Sequence, residues 1–263
     1  VSDPILSLLY GGASGAVSSA ATAIPALRRA AAEGAEAKAL GRLSKDAEIG
    51  RAMQAFRVVV AKTNDLAKAL RDPRVLGVLL PAMGMADAVG QPGLAARALT
   101  ADPNDAKGLL ARLSDGRWKE TAVALDLHRR GIAGLRDPQV QAKLEQGLKT
   151  VRWHAELDGA NPGVSDALYF RRQAASADGV YAILGNPVLR RVVTGALGLP
   201  AAIAVQPIET QARAVTTRLD LADLKDAAKV ARLAERYVLN RATEQAAAGA
   251  SGGGQSSLLA LFA

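Results

Sequence analysis

The chain has no cysteine, only two histidines and very few aromatic residues, and each shortage closes a class of chemistry. Without thiols there are no disulfides, thiolate metal sites or cysteine nucleophiles. The compartment stays open, because a thiol-free chain is equally safe in reducing and oxidising surroundings. His128 and His154 fall on different predicted helices, and neither belongs to a His-Glu-x-x-His or Glu-x-x-His arrangement. His128, beside Arg129-Arg130, reads as a surface side chain. No lysine directly follows a glycine, which excludes the Walker A phosphate loop. The glycine-rich run Gly11-Gly12-Ala13-Ser14-Gly15 therefore lacks its phosphate partner, and it follows no strand. Asp220, Asp223 and Asp226 recur at three-residue steps without the glycine and terminal glutamate of a calcium loop, so capping and solvated charge explain them. These absences point to a chain with no catalytic set, no metal and no cofactor.

What is present favours helix. Ala and Leu are the commonest of the 263 residues, with Arg, Val and Asp abundant beside 25 glycines, and the length can bury a core in one domain or two. Few rings mean close helix–helix contacts, with Trp118 and Trp153 expected inside rather than at an interface. The net charge is +8 and the isoelectric point about 10.0, which raises the prospect of an anionic partner. The arginine doublets Arg28-Arg29, Arg129-Arg130, Arg171-Arg172 and Arg190-Arg191 are scattered among acids, however. A nucleic-acid footprint gathers its cations on one stripe with stacking aromatics between them.

Punctuation divides the chain. Residues 5–27 carry no charge, but glycines, serines and Pro25 dilute the run, and no basic residue precedes it. It reads as a mobile or weakly helical arm rather than a spanning helix or cleavable signal. Helix follows from Ala26 to Lys62, with breaks near Gly34 or Gly41 and an apolar stripe of Ile49, Met53, Phe56 and Val60. Asp72-Pro73, Asp137-Pro138 and Asn186-Pro187 each set a capping side chain before a proline suited to the first helical turn. Gly84 and Gly198 stand where a left-handed residue ends a helix. Asp158 to Gly163 is a turn cluster, and Ala246 to Ser257 reads as a flexible Gly/Ser/Ala linker.

These signals recur at one interval. Phe56-Arg57, Asp72-Pro73 and Met83-Gly84-Met85 return as Phe170-Arg171, Asn186-Pro187 and Leu197-Gly198-Leu199, each 114 positions on. A fixed offset is the mark of a duplicated supersecondary unit. The expectation is an all-α, compact multi-helix protein built from two related helical halves. An N-terminal arm and helix start (1–42) precede the first half (43–158). The second half (164–245) packs on it, and a linker with an apolar tail (246–263) follows.

The ordered motifs resemble a bacterial family called domain of unknown function 1217. The resemblance rests on Phe56-Arg57, Leu70 to Met85 and Ala111-Arg112-Leu113 through Trp118. It continues in Ala167 to Arg172, Gly185 to Arg190, Ala196 to Pro200 and a closing helix with Lys225-Asp226 and Val230 to Leu239. It spans roughly residues 43–241. Departures are Ala55 for an aromatic, Ala111 for Asn and Trp118 for Tyr. The resemblance implies an all-helical protein, often encoded among flagellar genes, with no assigned reaction. The resulting expectation is a non-enzymatic component of flagellum assembly or structure, cytoplasmic or flagellum-associated, working through protein partners. The competing reading is a nucleic-acid-binding module. Candidate contact residues are Arg171, Arg172, Arg190 and Arg191, with Leu258, Leu259, Leu261 and Phe262 as a docking tip.

Overall fold

A computed structural model describes residues 21–259, with side chains described to residue 248. The helices are α1 (21–30), α2 (Ala35–Arg42), α3 (Ala47–Lys62), α4 (Leu66–Ala69), α5 (Pro73–Ala82), α6 (Pro92–Thr100), α7 (Leu109–Arg112) and α8 (Arg117–Leu125). They continue as α9 (Leu127–Arg130), α10 (Ile132–Arg136), α11 (Pro138–Ala160), α12 (Val164–Gln173), α13 (Val180–Gly185), α14 (Pro187–Ala196), α15 (Ile208–Thr216) and α16 (Ala227–Leu259). Among the described residues there is no strand, and the protein is all-α.

The chain forms two compact units, a central one of residues 36–155 and a flanking one of residues 1–35 with 156–263. This differs from the boundaries expected at 42–43 and 158–164. Gly34, at φ +75°, does break the N-terminal helix. The helix before it belongs with the later residues, because Leu27 is buried and Arg28 forms a two-point ion pair with Glu235. Thr22 Oγ1 also donates to Asn161 Oδ1 at 2.9 Å. Residues 21–30 are therefore not an arm, and residues 1–20 lie outside the described residues.

In the central unit, Ile49, Met53, Phe56 and Val60 form the expected stripe of α3 and are all buried. The stripe packs on α5, whose Val75, Leu76, Leu79 and Leu80 are buried too. Asp72 caps α5 by accepting from Arg74 N at 2.9 Å. Gly84, at φ +77°, closes it: Met85 N donates to Leu80 O at 2.8 Å and Gly84 N to Pro81 O at 2.9 Å. Arg117 locks this turn. Its guanidinium donates to Gly84 O, Asp87 and Asp115, although the residue is only 6% exposed. Burial opposes the charge, but the hydrogen bonds to Asp87 and then Asp115 outweigh it and raise the arginine's affinity for its proton. Trp118 and Trp153 are buried, as expected.

In the flanking unit, α12, α14 and α16 pack on one another, with α13 against α14 and α15. Asn186 caps α14 by accepting from Val188 N and Leu189 N. Gly198, at φ +63°, ends it with Leu199 N donating to Thr194 O at 2.9 Å. The cap and stop geometry at residues 186–199 thus repeats that at 72–85. The linker expected at 246–257 is instead the continuation of α16. Elongating a formed helix costs far less than nucleating one, and Ala246 to Ala248 are strong helix formers.

Charged caps make the fold sensitive to acid. Arg74 holds the Asp72 carboxyl below the usual range, and backbone amides led by Lys229 do so for Asp226. Lys149 and Arg28 do the same for Glu145 and Glu235. A depressed folded pKa gives stability that is present above about pH 4, the unfolded value, and lost as pH falls through the folded values. The thermal midpoint should be level from about pH 7 to 5 and fall below about pH 4. Asp226→Asn should make the fall shallower, and an unchanged acid profile in that variant would contradict this account.

Candidate functional site

The residues with chemical potential are spread out. His128 Nδ1 lies 3.1 Å from Thr100 O on an exposed side chain, and the His154 ring leans on Trp153 with centroids 5.4 Å apart. Asp220 and Asp226 cap helices, while Asp223 is paired with Lys229. Gly249-Ala250-Ser251-Gly252-Gly253 has the spelling of a nucleophile elbow, but it lies inside α16 rather than at a strand-to-helix turn. Among the described residues no group of three or more His, Cys, Asp or Glu could hold a metal ion.

Two cavities of the flanking unit carry charge. One, of about 580 Å³, is lined by Ile24, Leu219, Asp223, Arg232, Glu235 and Arg236, among others. Its two acids are engaged, Asp223 by Lys229 and Glu235 by Arg28. The other, of about 310 Å³, opens where α14, the 201–205 turn, α15 and α16 meet. Arg232 and Arg236 of the first cavity are also unpaired among the described residues, so the second is the better candidate for its buried polar group, Gln211, and its apolar rim beside an uncommitted cation.

The cleft is built on Tyr237. This fully buried ring sits so close to two glycines that a Cβ on Gly163 would be 2.9 Å from it and one on Gly195 2.8 Å. Its hydroxyl donates to Asp166 Oδ2 at 3.0 Å, and Arg191 grips the same carboxylate at 2.6 and 2.8 Å. Burial, followed by the Asp166 charge, pushes the phenol above its ordinary pKa, and Asp166 likewise raises that of Arg191. Asn240 Nδ2 donates to Gly195 O at 2.8 Å and fixes α16 against α14.

Arg190 and Arg191, both expected as contact residues, line this cleft but differ in commitment. Arg191 is held by Asp166, whereas the Arg190 guanidinium makes no hydrogen bond or ion pair among the described residues. Arg171 and Arg172 are exposed on α12 and do not line it. Leu258 and Leu259 end α16 with side chains outside the described set, and Leu261 and Phe262 lie outside the described residues. The doublets form no continuous free stripe, because Arg28 is paired with Glu235 and Arg130 with Asp137.

Sequence reasoning missed Gln211 and the rim. Gln211 is 4% exposed; its Nε2 donates to Gln206 O at 2.8 Å, and Oε1 finds no partner among the described residues. The rim runs from Pro200 to Ile208, with Val205 84% exposed and Ile208 exposed as well. A signal was available: no charged residue occurs between Arg191 and Glu209. No helix among the described residues is long and apolar enough to cross a membrane.

An all-helical protein with an arginine-lined cleft is thus the class that the fold defines. The family described as "Protein of unknown function (DUF1217)" matches residues 82–230, more than half of the chain, and the chain belongs to it. The matched span contains α14, the 201–205 turn and α15, though not Tyr237 or Arg241. The fold is similar to the crystal structure of a protein from Agrobacterium tumefaciens, at a TM-score of 0.65 and 23% identity. That similarity covers 83% of this chain and 92% of the other. No curated protein matches the sequence.

The space around each backbone gives opposite signs for two glycine substitutions. Gly77, exposed in α5, has nothing within 4 Å of a built Cβ, so Gly77→Ala should stabilise by about 0.5–1 kcal/mol in urea unfolding. Gly195→Ala drives a methyl into the Tyr237 ring and should destabilise by about 1–3 kcal/mol despite the same propensity gain. Equal effects in the two variants would show that the ring is not tightly seated.

Proposed function

We propose that the protein is a non-enzymatic helical component that docks a partner protein through the rim of the cleft, in association with the bacterial flagellum. One observation carries the docking part: a charge-free segment from Pro200 to Ile208, apolar except for Gln206, is held in water beside an arginine-lined cleft. Isolated exposed apolar residues are ordinary, but a contiguous run next to a concavity is the form of an interaction surface. The flagellar part, with a location in the cytoplasm or at the flagellum, is supported by the family resemblance alone, whose members are often encoded among flagellar genes. The echo of caps at 72–85 and 186–199 supports a duplicated helical unit as the origin of the scaffold.

Deleting the gene should impair filament formation and swimming, and the intact gene should restore both. A copy carrying Val205→Asp with Ile208→Asp should not restore them, although both positions are exposed and the variant should keep its far-ultraviolet circular dichroism and thermal midpoint. Normal filaments and swimming after deletion would overturn the flagellar role. Full rescue by the double variant would overturn docking through this rim.

A further inference from the structure

We infer that the cleft takes a protein segment in which a carboxylate side chain lies beside apolar ones, the carboxylate being received by Arg190. The inference rests on the docking reading above and specifies the chemistry of the partner. Charge complementarity selects the acid. Three arginines and one glutamate line the cleft, and the acids account for two of the arginines: Asp166 holds Arg191, and Glu244 accepts from Arg241 at 2.9 Å. Arg190 remains, one residue from the arginine that Asp166 fixes. A guanidinium in a half-enclosed site gains most from a carboxylate that it can bind with two parallel hydrogen bonds.

Gln211 selects a donor alongside the acid. Its Nε2 is committed to the Gln206 and Ala204 carbonyls, which fixes the amide orientation and leaves Oε1 as a buried acceptor. A backbone N–H or hydroxyl of the segment satisfies it. Leu199, Pro200, Ile203 and Ala204 supply apolar walls, and Val205 and Ile208 follow along the chain. The volume, about 310 Å³, is at the small end for a small-molecule ligand site and suits a few anchoring side chains whose remaining contacts lie on the rim. Nucleic acid is disfavoured, because the one ring in the lining, Tyr237, is buried against α12 and α14 and offers no face for stacking.

The test uses the full chain and three fluorescein-labelled peptide pools, randomised over Ala, Leu, Val and Ser, with Glu, Gln or Lys fixed at the centre. Fluorescence anisotropy should show the Glu pool binding about tenfold more tightly than the Gln pool, the scale of one charge-assisted hydrogen bond, with the Lys pool weakest. Arg190→Gln should erase the difference between the Glu and Gln pools, while Val205→Asp should weaken all three. Equal binding of the pools, no binding, or a Glu preference that survives in Arg190→Gln would overturn the inference. So would displacement of the Glu pool by an equal concentration of single-stranded DNA. If the pools bind equally while the double rim variant still fails to restore swimming, the docking reading stands and only the acidic specificity falls.

Discussion

The flanking unit depends on a single carboxylate. Asp166 takes one hydrogen bond from the Tyr237 hydroxyl and two from Arg191, so it joins α12, α14 and α16 at one point. Each partner needs the others: a buried phenol needs an acceptor, and a partly enclosed carboxylate needs a cation. The close approach of Gly163 and Gly195 admits the ring that makes the contact. Because Arg191 is engaged here, its neighbour Arg190 is the cation left facing the cleft. The paired and unpaired members of one arginine doublet are thus adjacent in the sequence.

A similar economy governs the central unit, where Arg117 ties the Gly84 turn to Asp87 and Asp115. A buried arginine with one partner would be a burden, since desolvation can exceed the attraction it gains. Asp87 and Asp115 together with the Gly84 carbonyl offset that cost. The carbonyl it takes is that of the residue closing α5, so the ion cluster also stiffens a helix stop. The equivalent stop at Gly198 leads instead into the exposed rim. Two matched turns therefore serve different ends: one is sealed by charge, and the other leaves apolar chain in water.

Much of the scaffold was legible because its signals are local. Asp72, Asp137 and Asn186 cap helices within three residues, and Gly84 and Gly198 adopt the left-handed stop that their neighbours demand. The α3 stripe was legible by period alone. The Asp166–Tyr237 bond was not, because 71 positions separate its partners and neither residue belongs to a short motif. Nor was the allegiance of residues 21–30, which depends on Arg28 finding Glu235 across 207 positions. The glycines at 249 and 252–254 suggested a linker, yet α16 carries its helix through them. In the cleft, Arg190 and Arg191 were legible as basic residues, but only geometry distinguishes the engaged one from the free one. Gln211 gave no sequence signal at all, being a lone amide on an ordinary helix.

The central claim, that Asp166 ties the buried Tyr237 hydroxyl into the network that holds the flanking unit, is tested most directly by a double-mutant cycle. Urea unfolding of Asp166→Asn, Tyr237→Phe and the combined variant should give a coupling energy of about 0.5–3 kcal/mol, the range for residues sharing one hydrogen-bond network. Additivity to within about 0.3–0.5 kcal/mol would mean that the two side chains act independently, and it would contradict the account.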